Sequence, residues 1–323
     1  MRISSDKLIA EAEATGFRPE ILEKVSHLMA LLDAIQSHPF LKGKLVLKGG
    51  TALNLFVFNV PRLSVDIDLN YVGALDRETM LAERPKIEQA VRAVFAREDL
   101  TVRRMPEHHA GGKWLLRYES AFGQSGNLEV DINFMFRIPL WPVMTRDSHH
   151  VGAWQAAGIP VLDPHELAAG KLSAFLARTQ ARDLFDCHRI LNMDNLEHTR
   201  LRIGFVVYGA INRKDWRMVS AKDVDFDPAE LTRQLVPLLR IKAIEPQKEA
   251  LEQGNRLVEE CRKGLSAVLP FTENELAFLD LLLEKGEADS TLLTNDPDLQ
   301  QRIQKQPLLE WKAINVRRHK GLS

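Results

Sequence analysis

Two aspartates, Asp66 and Asp68, are the residues of this sequence best suited to metal chemistry. Polar and apolar residues alternate through residues 65–70, which predicts a strand with one buried face. Side chains two positions apart on a strand leave the same face, so both carboxylates should project together. A divalent cation can hold such like charges side by side in the ionised state, and Mg²⁺ prefers hard oxygen ligands. We therefore expect a magnesium site at these two residues.

A second alternating segment, residues 128–134, carries Asp131 on its polar face. If the two strands are neighbours, Asp131 supplies a third carboxylate, and such a site can hold two metal ions roughly 3.5–4 Å apart. One ion would activate an attacking oxygen, and the other would stabilise a triphosphate under cleavage. The alternative is that Asp66 and Asp68 lie on a solvated strand face, because an Asp-x-Asp pair often arises by chance.

The segment upstream of the aspartates favours the functional interpretation. A short apolar run at residues 45–48 ends at Gly49 and Gly50, and a helical pattern resumes at Thr51. Backbone N–H groups and the dipole at a helix N-terminus favour a phosphate, and glycine lets that phosphate approach closely. The run lacks the glycine spacing of a P-loop or of a dinucleotide-binding turn. We predict that these three residues form a phosphate-binding turn beside the carboxylates.

Charged residues also recur at helical spacing near the middle of the chain. Lys171, Arg178 and Arg182 are seven and four positions apart, so one continuous helix would place them near one cationic face. Lys171 is then the candidate triphosphate contact, because a lysine can neutralise charge that grows as pyrophosphate leaves. Asp183 and Asp186 share a helix face, and either could orient Lys171 or Arg182, or act as a base. The alternative is a salt-bridged helix surface, the usual meaning of a charge run.

Several strings resemble the motifs of a known family. The run from Lys48 to Leu53, followed by the run from Arg62 to Leu69, resembles the first motif of the AbiEii family of nucleotidyltransferase toxins, relatives of the MenT toxins. Residues 166–186 resemble the second and third motifs of that family, and residues 307–316 resemble the end of its longer members. This sequence has Gly50 where nucleotidyltransferases often have Ser, which leaves the phosphate contact to backbone groups or to Thr51.

The resemblance implies a nucleotidyltransferase-type α/β domain with a mixed sheet, followed by a helical domain. It also implies magnesium-dependent transfer of a nucleotide from an NTP to RNA, with the tRNA 3′ end as the expected acceptor, and a cognate antitoxin protein. The predicted catalytic residues are Asp66, Asp68, Asp131, Lys171 and Asp186, of which the first three are the predicted ligands of Mg²⁺. The predicted nucleotide-binding residues are Gly49, Gly50, Thr51, Ser64, Lys171, Arg182 and Asp183. Transfer to a small molecule or a protein, and nucleotide binding without transfer, are the alternatives.

The elements that must position these residues follow from hydrophobic periodicity. Helices and strands alternate through the first half of the chain, whereas the pattern from Pro164 onward is mainly helical. Residues 201–211 are ambiguous between a strand and a buried helix. We expect an α/β domain over residues 1–195 and a mainly helical domain over residues 196–323, a size typical of two domains.

Composition limits the classes of partner. A formal net charge of −1 excludes a strongly basic footprint of the whole chain, so an RNA would have to meet a local patch. Candidate patches contain Arg103, Arg104, Lys113 and Arg117, or Arg317 and Lys320 near the end. No apolar run approaches the ~18 residues of a membrane helix, and the first residues lack a signal-peptide pattern, which predicts a cytoplasmic protein.

Overall fold

The computed structural model describes residues 3–106, 111–241 and 247–322, and within them the chain divides into two compact units. The first unit comprises the described residues of Met1–Arg137, Val143–Leu162 and Val236–Glu245. The second comprises the described residues of Ile138–Pro142, Asp163–Leu235 and Pro246–Ser323. These units divide the chain near residue 163, whereas the sequence predicts a domain boundary after residue 195; that boundary stays a prediction.

The first unit contains a mixed sheet, as the predicted α/β fold class requires. Its strands are β1 (Leu45–Lys48), β2 (Asp66–Tyr71), β3 (Thr101–Arg104), β4 (Gly111–Glu119), β5 (Ser125–Asn133), β6 (Met144–Arg146) and β7 (Ile159–Val161). Among the described residues they form one seven-stranded sheet in the order β3-β4-β5-β2-β1-β7-β6. β2 runs parallel to β5 and antiparallel to β1, and β4 is antiparallel to both β3 and β5.

Helices cover one face of this sheet. α2 (Pro19–Ser37) and α4 (Arg77–Arg97) contact its strands, and α1 (Ser5–Thr15) packs on α2. A further helix, α3 (Gly49–Thr51), follows β1 directly and continues as a π-helical segment over Ala52–Val57. Alternate residues of β4, such as Trp114 and Leu116, are buried on the covered face. Phe95 of α4 packs edge-on against Trp114, with ring centroids 5.6 Å apart. The β4 residues that alternate with Trp114 and Leu116 point to the opposite face of the sheet, which we call the polar face.

The second unit is helical. Its helices are α5 (Pro164–Arg178), α6 (Ala181–Leu191), α7 (His198–Ala210), α8 (Pro228–Glu230), α9 (Gln247–Gly264), α10 (Glu273–Asp280), α11 (Pro297–Gln304) and α12 (Pro307–Lys320). The ambiguous segment at residues 201–211 is thus largely helix. None of the described helices combines the length and the apolar composition needed to cross a membrane.

The single continuous helix that would have placed Lys171, Arg178 and Arg182 near one face does not form, because the chain is interrupted between α5 and α6. α5 ends at Thr179, which adopts a left-handed conformation with φ +50°, and its N–H donates to the carbonyl of Phe175. α6 begins after this turn and packs against α5. Lys171 and Arg178 therefore lie on one helix, and Arg182 lies on the next.

Candidate active site

Asp68 and Asp131 stand opposite each other on neighbouring parallel strands. The register between β2 and β5 pairs Asp68 with Asp131 and pairs Asp66 with Glu129. Residues at paired positions leave the same face of a sheet, so these side chains all lie on the polar face. The strands that carry the three predicted metal ligands are therefore neighbours, as the sequence analysis required.

A row of four charged residues crosses the polar face at this level. Lys48 on β1 is paired with Asp68, Asp68 with Asp131, and Asp131 with Lys113 on β4. We call these four residues the charged row. Burial raises the pKa of the Asp131 carboxyl above its ordinary value; the cation of Lys48 opposes this rise, and the charge of Asp68 adds to it. Lys48 has no predicted role from the sequence, although a cation directly before a glycine turn is a readable signal.

Gly49 fits tightly against the Asp68 carboxylate. It has a left-handed backbone with φ +73°, and a Cβ built on it would collide with the Asp68 side chain. Glycine tolerates this conformation and has no Cβ, so it alone satisfies both conditions without strain. The first turn of α3 consequently lies directly against one of the carboxylates.

Thr51 and Ser64 join the glycine turn to the start of β2. The Thr51 hydroxyl donates to the carbonyl of Asp66 at 2.5 Å and lies 2.9 Å from the Ser64 hydroxyl oxygen. Both residues are buried, Thr51 completely. Their hydroxyls are thus engaged within the protein, which makes them positioning groups for Asp66. Direct contact of Thr51 or Ser64 with a nucleotide stays a prediction, as does contact through the backbone of Gly49 and Gly50.

The donor set fits Mg²⁺ with two protein carboxylates. Mg²⁺ is commonly bound through one or two carboxylates together with waters and substrate phosphates, and Asp68 and Asp131 supply that number from adjacent strands. In the described part of the chain, no three or more His, Cys, Asp or Glu side chains are grouped closely enough to hold a metal ion. Asp66 lies two positions before Asp68 on β2, and its place as a third ligand stays a prediction.

In the second unit, two buried carboxylates hold Lys171. Its Nζ on α5 lies 2.8 Å from Asp183 Oδ1 and 3.0 Å from Asp186 Oδ2, both on α6. The side chains of Lys171, Asp183 and Asp186 are 9%, 3% and 0% exposed. Arg178 Nε also donates to Asp183 at 2.8 Å. Burial disfavours the charged form of Asp183, yet Lys171 and Arg178 together hold the pKa of its carboxyl below the ordinary value.

Both aspartates contact Lys171 directly, and their roles in orienting it or acting as a base stay predictions. Arg182 lies half-buried in the first turn of α6. The carboxylates of the charged row belong to the first unit, and Lys171 with its partners belongs to the second. The assignment of both groups to one reaction stays a prediction.

Glu166 is another buried acid of the helical unit, and it has an unusual environment. Its carboxylate accepts hydrogen bonds from the backbone N–H of Leu140 at 3.0 Å and from the Tyr208 hydroxyl at 2.8 Å. Burial raises the pKa of this carboxyl to about 7, and the hydrogen bonds from Tyr208, Leu140 and the Trp141 backbone only partly offset that rise. Glu166 therefore titrates near neutral pH within the folded protein.

The chain is similar to known proteins both in its sequence profile and in its fold. The profile of the family described as nucleotidyl transferase AbiEii toxin, type IV TA system, matches residues 30–263. A comparison with curated protein sequences found no match. Among solved structures, the chain is similar to MenT4, a nucleotidyltransferase toxin from Mycobacterium tuberculosis. The TM-score is 0.61 at 16% sequence identity, over 96% of this chain and 99% of that chain, which shows a shared fold.

Proposed function

The chain belongs to the AbiEii family of nucleotidyltransferase toxins of type IV toxin–antitoxin systems, and on that premise we propose that it transfers NMP from an NTP to RNA. The proposed acceptor is the 3′ end of tRNA, where an added nucleotide would block aminoacylation. Both substrates occur in the cytoplasm, where we place the reaction. Membership of a toxin–antitoxin family implies a cognate antitoxin protein.

One observation supports this proposal more than any other: Asp68 is paired with Asp131 in the sheet and also lies against the first turn of α3 at Gly49. Carboxylates for a cation and backbone N–H groups for a phosphate are thereby adjacent in one unit. Nucleotidyl transfer needs both, because the nucleotide donor is a triphosphate that binds with its cation.

Asp68 and Asp131, joined by Asp66, are the residues proposed to hold Mg²⁺. When bound there, Mg²⁺ would neutralise triphosphate charge and promote attack by the acceptor hydroxyl. The N–H groups of Gly49 and Gly50 would bind phosphate oxygens, and Thr51 would keep the turn fixed to β2.

The proposed chemical step is an in-line displacement at the α-phosphorus of the NTP. The acceptor hydroxyl gives its proton to water as its oxygen bonds to the α-phosphorus. The bond between the α-phosphorus and the α,β-bridging oxygen breaks, and its electron pair leaves with pyrophosphate. Lys171 is assigned to the negative charge that grows on the departing pyrophosphate, with Asp183 and Asp186 orienting its ammonium group.

A labelling experiment tests the proposal. The purified protein is incubated with Mg²⁺, total RNA and each of the four NTPs labelled at the α-phosphate, with EDTA as a control. We expect Mg²⁺-dependent label in RNA of tRNA size, removable by trimming of the 3′ end. Label in protein would instead identify a protein acceptor, and NTP retained without transfer would identify a nucleotide-binding module.

A further inference from the structure

Three basic side chains extend the charged row towards the β3 edge of the sheet. On β4, Lys113 is paired with Asp131 and Arg117 with Asn127. On β3, Arg104 is paired with Leu115. Leu115 lies two positions from both Lys113 and Arg117 on β4 and so shares their face. All three cations therefore leave the polar face, the face that bears the carboxylates. We call Lys113 and Arg117 of β4, together with the adjacent Arg104 of β3, the β4 basic strip.

The basic strip is exposed, and the protein engages it only weakly. The Lys113 side chain is 66% exposed and forms an ion pair with Glu129, whose side chain is 40% exposed, at 2.8 Å. Arg117 Nε donates to the Ser125 hydroxyl at 2.7 Å. Exposed pairs of this kind contribute little to stability, so a ligand phosphate can replace these partners at small cost.

The cations at the two ends of the charged row have different surroundings. Lys48 directly precedes the Gly49 turn, where the proposed triphosphate binds. Lys113 lies beyond Asp131 and continues into the basic strip, which runs about 14 Å from Lys113 to Arg117 at the usual rise of a strand. A run of spaced cations suits a chain of phosphates, and Leu115 between them supplies an apolar surface for a base.

We propose that the β4 basic strip binds the phosphodiester backbone of the RNA acceptor, close to the end that receives the nucleotide. The NTP then occupies the Lys48 and Gly49 end of the charged row, and the RNA occupies the Lys113 end. Donor and acceptor thus meet over Asp68 and Asp131 from opposite sides. This inference rests on the proposed transfer to RNA and adds where each substrate lies.

The two ends can be separated by kinetics. In the double variant Lys113→Ala/Arg117→Ala, we expect the KM for RNA to rise at least about tenfold, because two phosphate contacts are lost, while the KM for NTP changes little. Lys48→Gln should show the reverse pattern. The dependence of log K for RNA binding on log salt should become shallower by about 0.7 for each single-strand phosphate contact removed. Fluorescence anisotropy with a labelled RNA 3′-end oligonucleotide measures this binding without turnover.

Arg92→Ala is the matched control. Arg92 is an exposed arginine on α4, the helix layer that covers the opposite face of the sheet, and this variant should retain wild-type values. Thermal denaturation of each variant confirms that the exposed substitutions leave the fold intact.

The outcomes separate this inference from the function on which it rests. If the wild-type protein labels RNA but the double variant keeps its KM and its salt dependence, the basic strip is not the acceptor site, and transfer to RNA stands. If the double variant loses NTP affinity instead, the strip binds the donor and the inference is wrong. If the wild-type protein neither labels nor binds RNA, the proposed function fails together with the inference.

Discussion

Gly49 begins α3 at a point where the carboxylate of Asp68 leaves no room for a side chain. Glycine is therefore needed here for two reasons: the positive φ of the turn and the space that the Asp68 carboxylate occupies. Gly43 provides the contrast: it has nearly the same backbone angle, φ +75° against +73°, but nothing lies within 4 Å of a Cβ built on it. Comparison of these two glycines separates backbone strain from displacement of the carboxylate.

We expect Gly49→Ala to abolish most of the transfer activity, while Gly43→Ala leaves it unchanged. Both variants should lose about 1 kcal/mol of unfolding free energy, because alanine is strained at positive φ. Only Gly49→Ala should also move Asp68, and a misplacement of ~1 Å at a reacting centre can cost on the order of 10²-fold in rate. Chemical denaturation and the RNA-labelling rate measure the two effects. Wild-type turnover in Gly49→Ala would show that transfer does not depend on the position of the Asp68 carboxylate beside Gly49.

Asp68→Asn and Asp131→Asn should each abolish transfer with little change in thermal stability. Each substitution removes one ligand charge and keeps side-chain volume, so its effect should appear as a higher Mg²⁺ requirement or as no activity at any Mg²⁺ concentration. Asp66→Asn decides whether two or three carboxylates hold the metal. If Asp66 is a third ligand, its variant should lose as much activity as the Asp68 and Asp131 variants. Glu129→Gln, on the same face but outside the charged row, is the control. Mg²⁺ titrations of the labelling rate give the result, and near-normal rates in the Asp68 or Asp131 variant would exclude the metal assignment.

Local patterns in the sequence predicted the carboxylate strands and the glycine turn correctly as elements. Alternation at residues 65–70 and 128–134 indicates strands, but it does not say which strands pair. The adjacency of Asp68 and Asp131 depends on a parallel pairing between distant segments, which only the folded sheet fixes. The place of Lys48 directly before the glycine turn is readable in the sequence, but its pairing with Asp68 exists only across strands.

The interruption between α5 and α6 had no signal that sequence reasoning could use. Neither Thr179 nor Gln180 is glycine or proline, and Thr179 adopts a positive φ that such residues rarely take. The bonds that Lys171 makes to Asp183 and Asp186 require α6 to fold back on α5, and these tertiary contacts offset the local strain.

The raised pKa of Glu166 gives a testable pH dependence of stability. Its folded-state pKa of about 7 lies above the ordinary value of 4.5, so the folded state binds this proton more tightly than the unfolded state does. The resulting stabilisation is complete below pH 4.5 and is lost as the pH rises through 7. As the pH rises from 4.5 through 7, the unfolding free energy of the wild type should therefore fall relative to that of Glu166→Gln, by a few kcal/mol at most.

Glu166→Gln should fold, because its amide can accept from the Leu140 N–H with one atom and donate to the Tyr208 oxygen with the other. Tyr208→Phe is the complementary variant. It removes a hydrogen bond that lowers the Glu166 pKa, so the pH window should move upward. Denaturation curves at a series of pH values measure both shifts, and a pH-independent difference between wild type and Glu166→Gln would contradict the assigned titration.

Lys171 has both a structural contact and a proposed catalytic role, and Lys171→Ala must separate them. The substitution removes a cation shared by two buried carboxylates, which should cost about 3 kcal/mol or more of stability. If Lys171 also stabilises the leaving pyrophosphate, kcat should fall on the order of 10²-fold, with a smaller change in the KM for NTP. The assay is run well below the melting temperature of each variant, so that the folded protein is compared.

Arg178→Ala is the matched control for Lys171→Ala, because Arg178 contacts the same Asp183 carboxylate at the same 2.8 Å. Its side chain is 53% exposed, so its loss should cost less stability and leave kcat nearly unchanged. Arg189→Ala, on the exposed side of α6, controls for surface charge alone. If kcat falls equally in the Lys171 and Arg178 variants, or falls in neither, Lys171 serves the packing of α5 against α6 and has no part in the chemistry. A loss of kcat confined to Lys171→Ala would assign its ammonium group to the leaving pyrophosphate, because disturbance of Asp183 is common to both variants.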